Sequence, residues 1–289
     1  MLSLRDSRRL IGSGLALALS AISPEKASAQ EAVDVALVLA VDVSLSMSYE
    51  ELRIQREGYV AALTHPEVIQ AIRGGYHGRI ALTYFEWAGD STQHMIVPWT
   101  IVASLEDAQR VAETISTSQP NSARRTSISG GLRYGLDLFA EGVFKTERRV
   151  IDVSGDGPNN QGEYVNLVRD EVVATGIVIN GLPLMTDGGL ISAFDVPDLD
   201  RYYAECVIGG PGSFVVPVND WSQFPEAVRR KLVLEIAAGP DLEPWMTSSA
   251  GQDLPVVKVA ASEPYDCQIG EKRWRGRGWI WDDNRGTVP

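Results

Sequence analysis

Asp42, Ser44 and Ser46 in "VDVALVLAVDVSLSMS" set one carboxylate and two hydroxyls at alternate positions directly after an apolar run. In extended or gently turning backbone, residues two apart project the same way, so the three oxygens can converge beyond the carboxyl end of a strand. Oxygen-only donors suit a hard cation such as Mg²⁺ and argue against a soft metal. Two further oxygen donors follow: Thr126 in "RRTSISGGL", where a helix begins, and Asp156 in "RRVIDVSGDG", where a second buried strand ends. Hydroxyls coordinate without neutralising charge, so an ion held mostly by them stays electron-poor and favours an anionic ligand from outside.

The elements that must position these residues can be read from periodicity. Val33 to Val41 is mostly β-branched and aliphatic, as in a central parallel strand covered on both faces. Further strands are expected at "RIALTYFEWA", "HMIVPWTIV", "RRVIDVS", "IVINGLPLM" and "SFVVPV", with Pro98 assigning the second of these to an edge. Between them lie helical patterns: Leu52, Tyr59, Val60 and Leu63; Pro66 to Ile72; Ser104 to Ser116 with Ser104 and Asp107 as a capping box; and Ile128, Leu132, Leu136 and Phe139. Helices follow over Tyr164 to Val172, Leu199 to Cys206, and Trp221 to Ala237 capped by Asp220. Gly130 and Gly131 are poor helix formers and predict close backbone packing near Thr126. This alternation predicts an α/β fold, a doubly wound, mostly parallel six-stranded sheet flanked by helices, with ligands at the carboxyl ends of the strands.

The ordered set D-x-S-x-S, then Thr126, then Asp156 followed by Gly157 resembles the von Willebrand factor A (vWA) family and its metal-ion-dependent adhesion site, over Val33 to Ala237. The resemblance implies a Rossmann-like vWA fold with Asp42, Ser44, Ser46, Thr126 and Asp156 around Mg²⁺ or Mn²⁺. Ser44, Ser46 and Thr126 would be direct ligands, and Asp42 and Asp156 would contact the ion directly or through water. It implies a protein-binding module that captures an Asp or Glu of a partner through the cation, and it is similar to bacterial exported vWA proteins. The chain departs from the family at Ser154 and Gly155, where a hydrophobic residue and a Thr usually stand, which makes Asp152 a rival to Asp156. Asp156 is preferred because it sits at the strand end beside Gly157, whereas Asp152 falls inside the apolar run.

Two other readings compete with the binding module. A metal-dependent hydrolase would need a general base, yet none of the three motifs contains His or Lys; the chain also lacks G-x-S-x-G and a P-loop, and His65, His77 and His94 lack zinc-ligand spacing. The expectation is therefore not an enzyme. A metal-free vWA scaffold is the third possibility, in which Ser46 and Ser48 serve only to cap the following helix.

Residues 1–29 read as a signal peptide: Arg5, Arg8 and Arg9, an apolar run from Leu10 to Ile22, then Ala27-Ser28-Ala29. That run is too short to span a bilayer stably. The expected location is periplasmic or secreted, by the Sec route in preference to the twin-arginine one, because "SRRLI" lacks the usual aromatic residue. Residues 30–238 form the expected vWA domain and 239–289 a C-terminal tail. With a formal charge of −12 in 289 residues, the chain is repelled by nucleic acid and anionic membrane. Cys206 and Cys267, the only cysteines, are expected to form a disulfide tying the tail to the domain, the alternative being two buried thiols. The tail carries Trp274, Trp279 and Trp281 among Arg273, Arg275 and Arg277, read as packed onto the domain in preference to a partner-binding patch.

Overall fold

A computed structural model describes residues 30–140, 144–186, 196–237 and 264–282. The leader-like segment and the side chains of Trp279 and Trp281 lie outside what it describes. In chain order the elements are β1 (Glu31–Ala32), β2 (Ala36–Asp42), α1 (Tyr49–Leu63), α2 (Pro66–Gly74), β3 (Ile80–Trp87), β4 (Gln93–Val102), α3 (Leu105–Thr117) and α4 (Ile128–Ala140). They continue with β5 (Phe144–Lys145), β6 (Arg149–Gly155), α5 (Val165–Ala174), β7 (Ile177–Pro183), α6 (Leu199–Tyr202), α7 (Phe224–Ala237) and α8 (Ile269–Asp282).

Five strands form the main sheet in the order β4-β3-β2-β6-β7, all pairs parallel except β3 with β4, and β1 pairs with β5 in a separate two-stranded ribbon. The sixth expected strand is present as a segment but not as a regular one. Residues 213–218 run along β7 through bridges at Gly181 with Val215 and Leu184 with Val218, and Pro217 lacks the N–H a continuous ladder requires. Pro98 lies on the edge strand β4, where the register with β3 shifts between the pairings of Tyr84 and Leu82, so its missing donor breaks no ladder.

Alternation along β2 divides the core. Leu37, Leu39 and Val41 pack with α1, α2, α3 and α7 on one face, and Val38 and Ala40 pack with α4, α5 and α6 on the other. Every residue of β2 is buried, so the strand is covered on both faces up to its carboxyl end at Asp42.

Asp152 belongs to this core. Lys231 Nζ lies 2.6 Å from its carboxylate and also pairs with Glu235, all three being at most 1% exposed, while Asn180 donates to Glu235 at 3.0 Å. One cation between two buried acids leaves a negative excess. Burial, then Asp152, push the Glu235 carboxyl up to about 7, and burial raises Asp152 as well despite Lys231.

A carboxyl whose folded pKa is raised binds more protons folded than unfolded, so it lowers stability as pH rises from its unfolded value to its folded one. Unfolding free energy is expected to fall by on the order of 3 kcal/mol between pH 4.5 and 7 from Glu235. Urea titrations across that window should show Glu235→Gln with a flatter profile, and Lys231→Met destabilised by about 3–5 kcal/mol near neutral pH.

Candidate functional site

The carboxyl ends of β2 and β6 bring four of the five expected donors into one hydrogen-bonded chain. Ser44 N–H donates to Asp42 Oδ1 at 2.7 Å, Ser44 Oγ and Ser46 Oγ are 2.8 Å apart, and Ser46 Oγ donates to Asp156 Oδ1 at 2.8 Å. Ser46 faces solvent, whereas Asp42 and Ser44 are buried. Ser48, not Ser46, caps α1, in a full capping box with Glu51.

Thr126 arrives through backbone. Ala123 bridges Ser44, its N–H donating to Val43 at 3.2 Å and its carbonyl accepting from Leu45 at 2.9 Å. On the other side, Thr126 N–H donates to Asn160 Oδ1 at 3.0 Å and Asn160 N–H donates back to the Thr126 carbonyl at 2.8 Å. Thr126 thus sits between the Ser44 loop and the loop that follows Asp156. Upstream, Arg56 fixes the approach: it donates to Glu86 at 2.8 Å and to the carbonyls of Ser118 and Gln119 at 2.6 and 2.8 Å, while Asn121 donates to Glu86 at 2.8 Å. Gly130 lets the start of α4 press against Asp90, whose carbonyl a Cβ there would meet at 3.0 Å.

Electrostatically the site is unbalanced. Burial, then the neighbouring Asp156 carboxylate, push Asp42 well above the usual carboxylate range, although N–H groups of Ser44 and Asp156 pull the other way. Asp42 Oδ2 is buried without a hydrogen-bond partner. Such an oxygen beside a second acid fits a cation, which would relieve both the repulsion and the unmet acceptor. Among the described residues no three of His, Cys, Asp or Glu converge as a metal-ligand group, so ions here would depend on hydroxyl oxygens. Asp152 lies away from this cluster, engaged by Lys231.

Sequence reasoning missed Tyr203, Gln55 and Asn159. A Cβ on Gly155 would lie 2.8 Å from both Asp42 Oδ2 and the Tyr203 hydroxyl, which is itself buried without a partner. The departure at Gly155 therefore has a physical cause, since Tyr203 fills the space that a side chain at 155 would take. Gln55 Nε2 donates to the Asp42 carbonyl at 2.9 Å, fixing the end of β2. Its place between Leu52 and Tyr59 on the buried face of α1 was the available signal. Asn159 Oδ1 accepts from Ser129 N–H at 3.0 Å, tying α4 to the loop after Asp156.

The expected disulfide is present: Cys206 and Cys267 are bonded, closing 61 residues of separation, a loop for which chain entropy suggests about 4 kcal/mol of stabilisation.

The model of the family described as "Protein of unknown function (DUF1194)" matches residues 32–240. No curated protein matches the chain. Among solved structures, the proximal thread matrix protein 1 from the mussel byssus, with a zinc-occupied MIDAS motif, superimposes with a TM-score of 0.52 at 16% identity, over 72% of this chain and 49% of that one. The pilus adhesin SpaC from Lactobacillus rhamnosus GG gives a TM-score of 0.55 at 14% identity, over 72% of this chain and 31% of that one. A von Willebrand factor type A structure from Catenulispora acidiphila gives 0.49 at 11% identity, over 71% and 43%. The chain thus spans half or less of each of these proteins, and the first two superpositions show a shared vWA-type fold.

Gly155→Ala is expected to destabilise the protein by about 1–3 kcal/mol through overpacking. Adding Tyr203→Phe should recover part of that loss, because one of the two crowding oxygens is removed. Urea denaturation of the two single variants and the double variant reads the coupling directly.

Proposed function

We propose that this chain, which belongs to the DUF1194 family and has a vWA-type fold, is an exported protein-binding module that captures an Asp or Glu of a partner through a divalent cation. The single observation that carries the reading is the buried, unpartnered Asp42 Oδ2 beside Asp156 at the head of a chain of hydroxyls. Asp42, Ser44, Ser46, Thr126 and Asp156 would hold Mg²⁺ or Mn²⁺. Bound there, the ion supplies an electropositive centre with few anionic ligands, open to a carboxylate from outside.

The chain's own residues supply the rest. Ser46, at the exposed end of the cluster, marks the side from which a partner approaches, and Leu45 and Tyr49 flank it at 58% and 83% exposure. Binding in place of turnover is supported by the absence of His and Lys from the three motifs. Further support comes from a structure of the same fold that carries a zinc-occupied MIDAS motif, and from another that is a pilus adhesin. Export is supported by the leader-like features of residues 1–29 and by the disulfide, which suits an oxidising compartment. A periplasmic or secreted location follows from the same reading.

Titration calorimetry with Mg²⁺ and Mn²⁺ is the direct test. The wild type is expected to bind one ion, Asp42→Ala none, and Ser46→Ala at least tenfold more weakly. A fluorescent Glu-containing peptide library should then be retained with Mg²⁺ and released by chelator. A folded wild-type protein that takes up neither ion would overturn the proposal.

A further inference from the structure

The C-terminal helix α8 does more than cover apolar surface: its contacts fall on the residues that place Thr126. Its near end is anchored by the Cys206–Cys267 disulfide and by Tyr265, whose N–H donates to Glu205 at 2.8 Å and whose hydroxyl donates to Asp198 at 2.8 Å. In its first turn, Gly270 lies so close to Asn159 that a Cβ there would overlap the Asn159 carbonyl. Glu271, 7% exposed, accepts from Asn159 Nδ2 at 2.8 Å, and Asn159 in turn accepts from Ser129 at the start of α4. One turn on, the Trp274 ring lies under the Arg125 guanidinium, 3.3 Å from its carbon to the ring centroid.

Arg125 is, among the described residues, the one non-glycine with a positive φ, at 78°. L side chains adopt that conformation only where surroundings hold them in it. The held residue immediately precedes Thr126, whose N–H is fixed by Asn160, the neighbour of Asn159. Both sides of Thr126 are thus gripped from one helix.

We infer that α8 is a strap in which Trp274 and Glu271 act as positioning residues, holding Arg125 in its left-handed conformation and Asn159 in place so that Thr126 is presented to the site. Its bearing on cation binding rests on the function proposed above. Its effect on the backbone does not.

The test compares full-length wild type with Trp274→Ala, Trp274→Phe and Glu271→Ala, by amide hydrogen exchange in chelator and by Mn²⁺ calorimetry. With no divalent ion present, Trp274→Ala is expected to speed exchange at the Thr126 and Ser129 amides at least tenfold while Leu39 in β2 stays protected. Trypsin cleavage after Arg124 or Arg125 should accelerate in parallel. Trp274→Phe, which keeps an aromatic face, should restore most of the protection, a rescue that general loss of packing would not give. Where the wild type binds Mn²⁺, Trp274→Ala should bind at least fivefold more weakly. Where it binds none, the cation reading falls and exchange alone judges the strap. Unchanged exchange at Thr126 and Ser129 in folded Trp274→Ala and Glu271→Ala would overturn the inference, as would loosening spread equally to Leu39.

Discussion

The structure turns on two carboxylates placed at the ends of neighbouring strands with too little positive charge between them. Asp42 ends β2 and Asp156 directly follows β6, and those strands are hydrogen-bonded neighbours. Other buried acids have a cation or an amide beside them: Glu86 has Arg56 and Asn121, and Asp152 and Glu235 share Lys231, although Glu235 Oε2 and Glu271 Oε2 are also buried without a hydrogen-bond partner. Asp42 has N–H groups and an orphaned oxygen instead. Burying a carboxylate oxygen without a partner is unfavourable, and Asp42 answers that cost with a pKa well above the usual range.

Given that charge distribution, the loops around it have a common task. The Ser44 loop, the Ala123–Thr126 approach and the loop after Asp156 come from distant parts of the chain, and each is held by polar contacts in addition to the packing of Val43, Met47 and Ala123 on the core. Arg56 caps the carbonyls of Ser118 and Gln119, Asn160 exchanges two hydrogen bonds with Thr126, and Gln55 holds the Asp42 carbonyl. The rigid layer lies below, where Leu37, Leu39 and Val41 on one face and Val38 and Ala40 on the other are fully buried.

What the sequence made legible was whatever is encoded locally. The D-x-S-x-S spacing, the apolar run before it, the edge position forced by Pro98 and the capping by Ser104 and Asp220 all act within a few residues, and the structure has each of them. The pairing of Cys206 with Cys267 was legible for another reason, because two cysteines allow one pairing. The illegible parts are those in which separated residues meet. Lys231 stands within the helix expected over Trp221 to Ala237, and only the fold carries it between Asp152 and Glu235. The segment at 213–218 has the composition of a strand, yet Pro217 and its partner's geometry reduce it to isolated bridges. Trp274 was visible as part of a basic, aromatic tail, but nothing local pointed to Arg125, 149 positions earlier.

Gly155 joins these two kinds of information. Judged along the chain, a glycine before Asp156 is a departure that weakens the match to the vWA site and lets Asp152 compete for the role. Judged in space, it is the residue that the arrangement requires, because Tyr203 projects its hydroxyl to within 2.8 Å of where a Cβ would stand, and Asp42 Oδ2 crowds the same point. Tyr203 comes from the π-helical turn after α6, whose Cys206 is bonded to Cys267 at the root of α8. The segment that replaces a missing side chain at the floor of the site therefore also anchors the helix that grips its rim at Arg125 and Asn159. A change in either would be felt through one short stretch of backbone, so Gly155 and α8 are parts of a single arrangement.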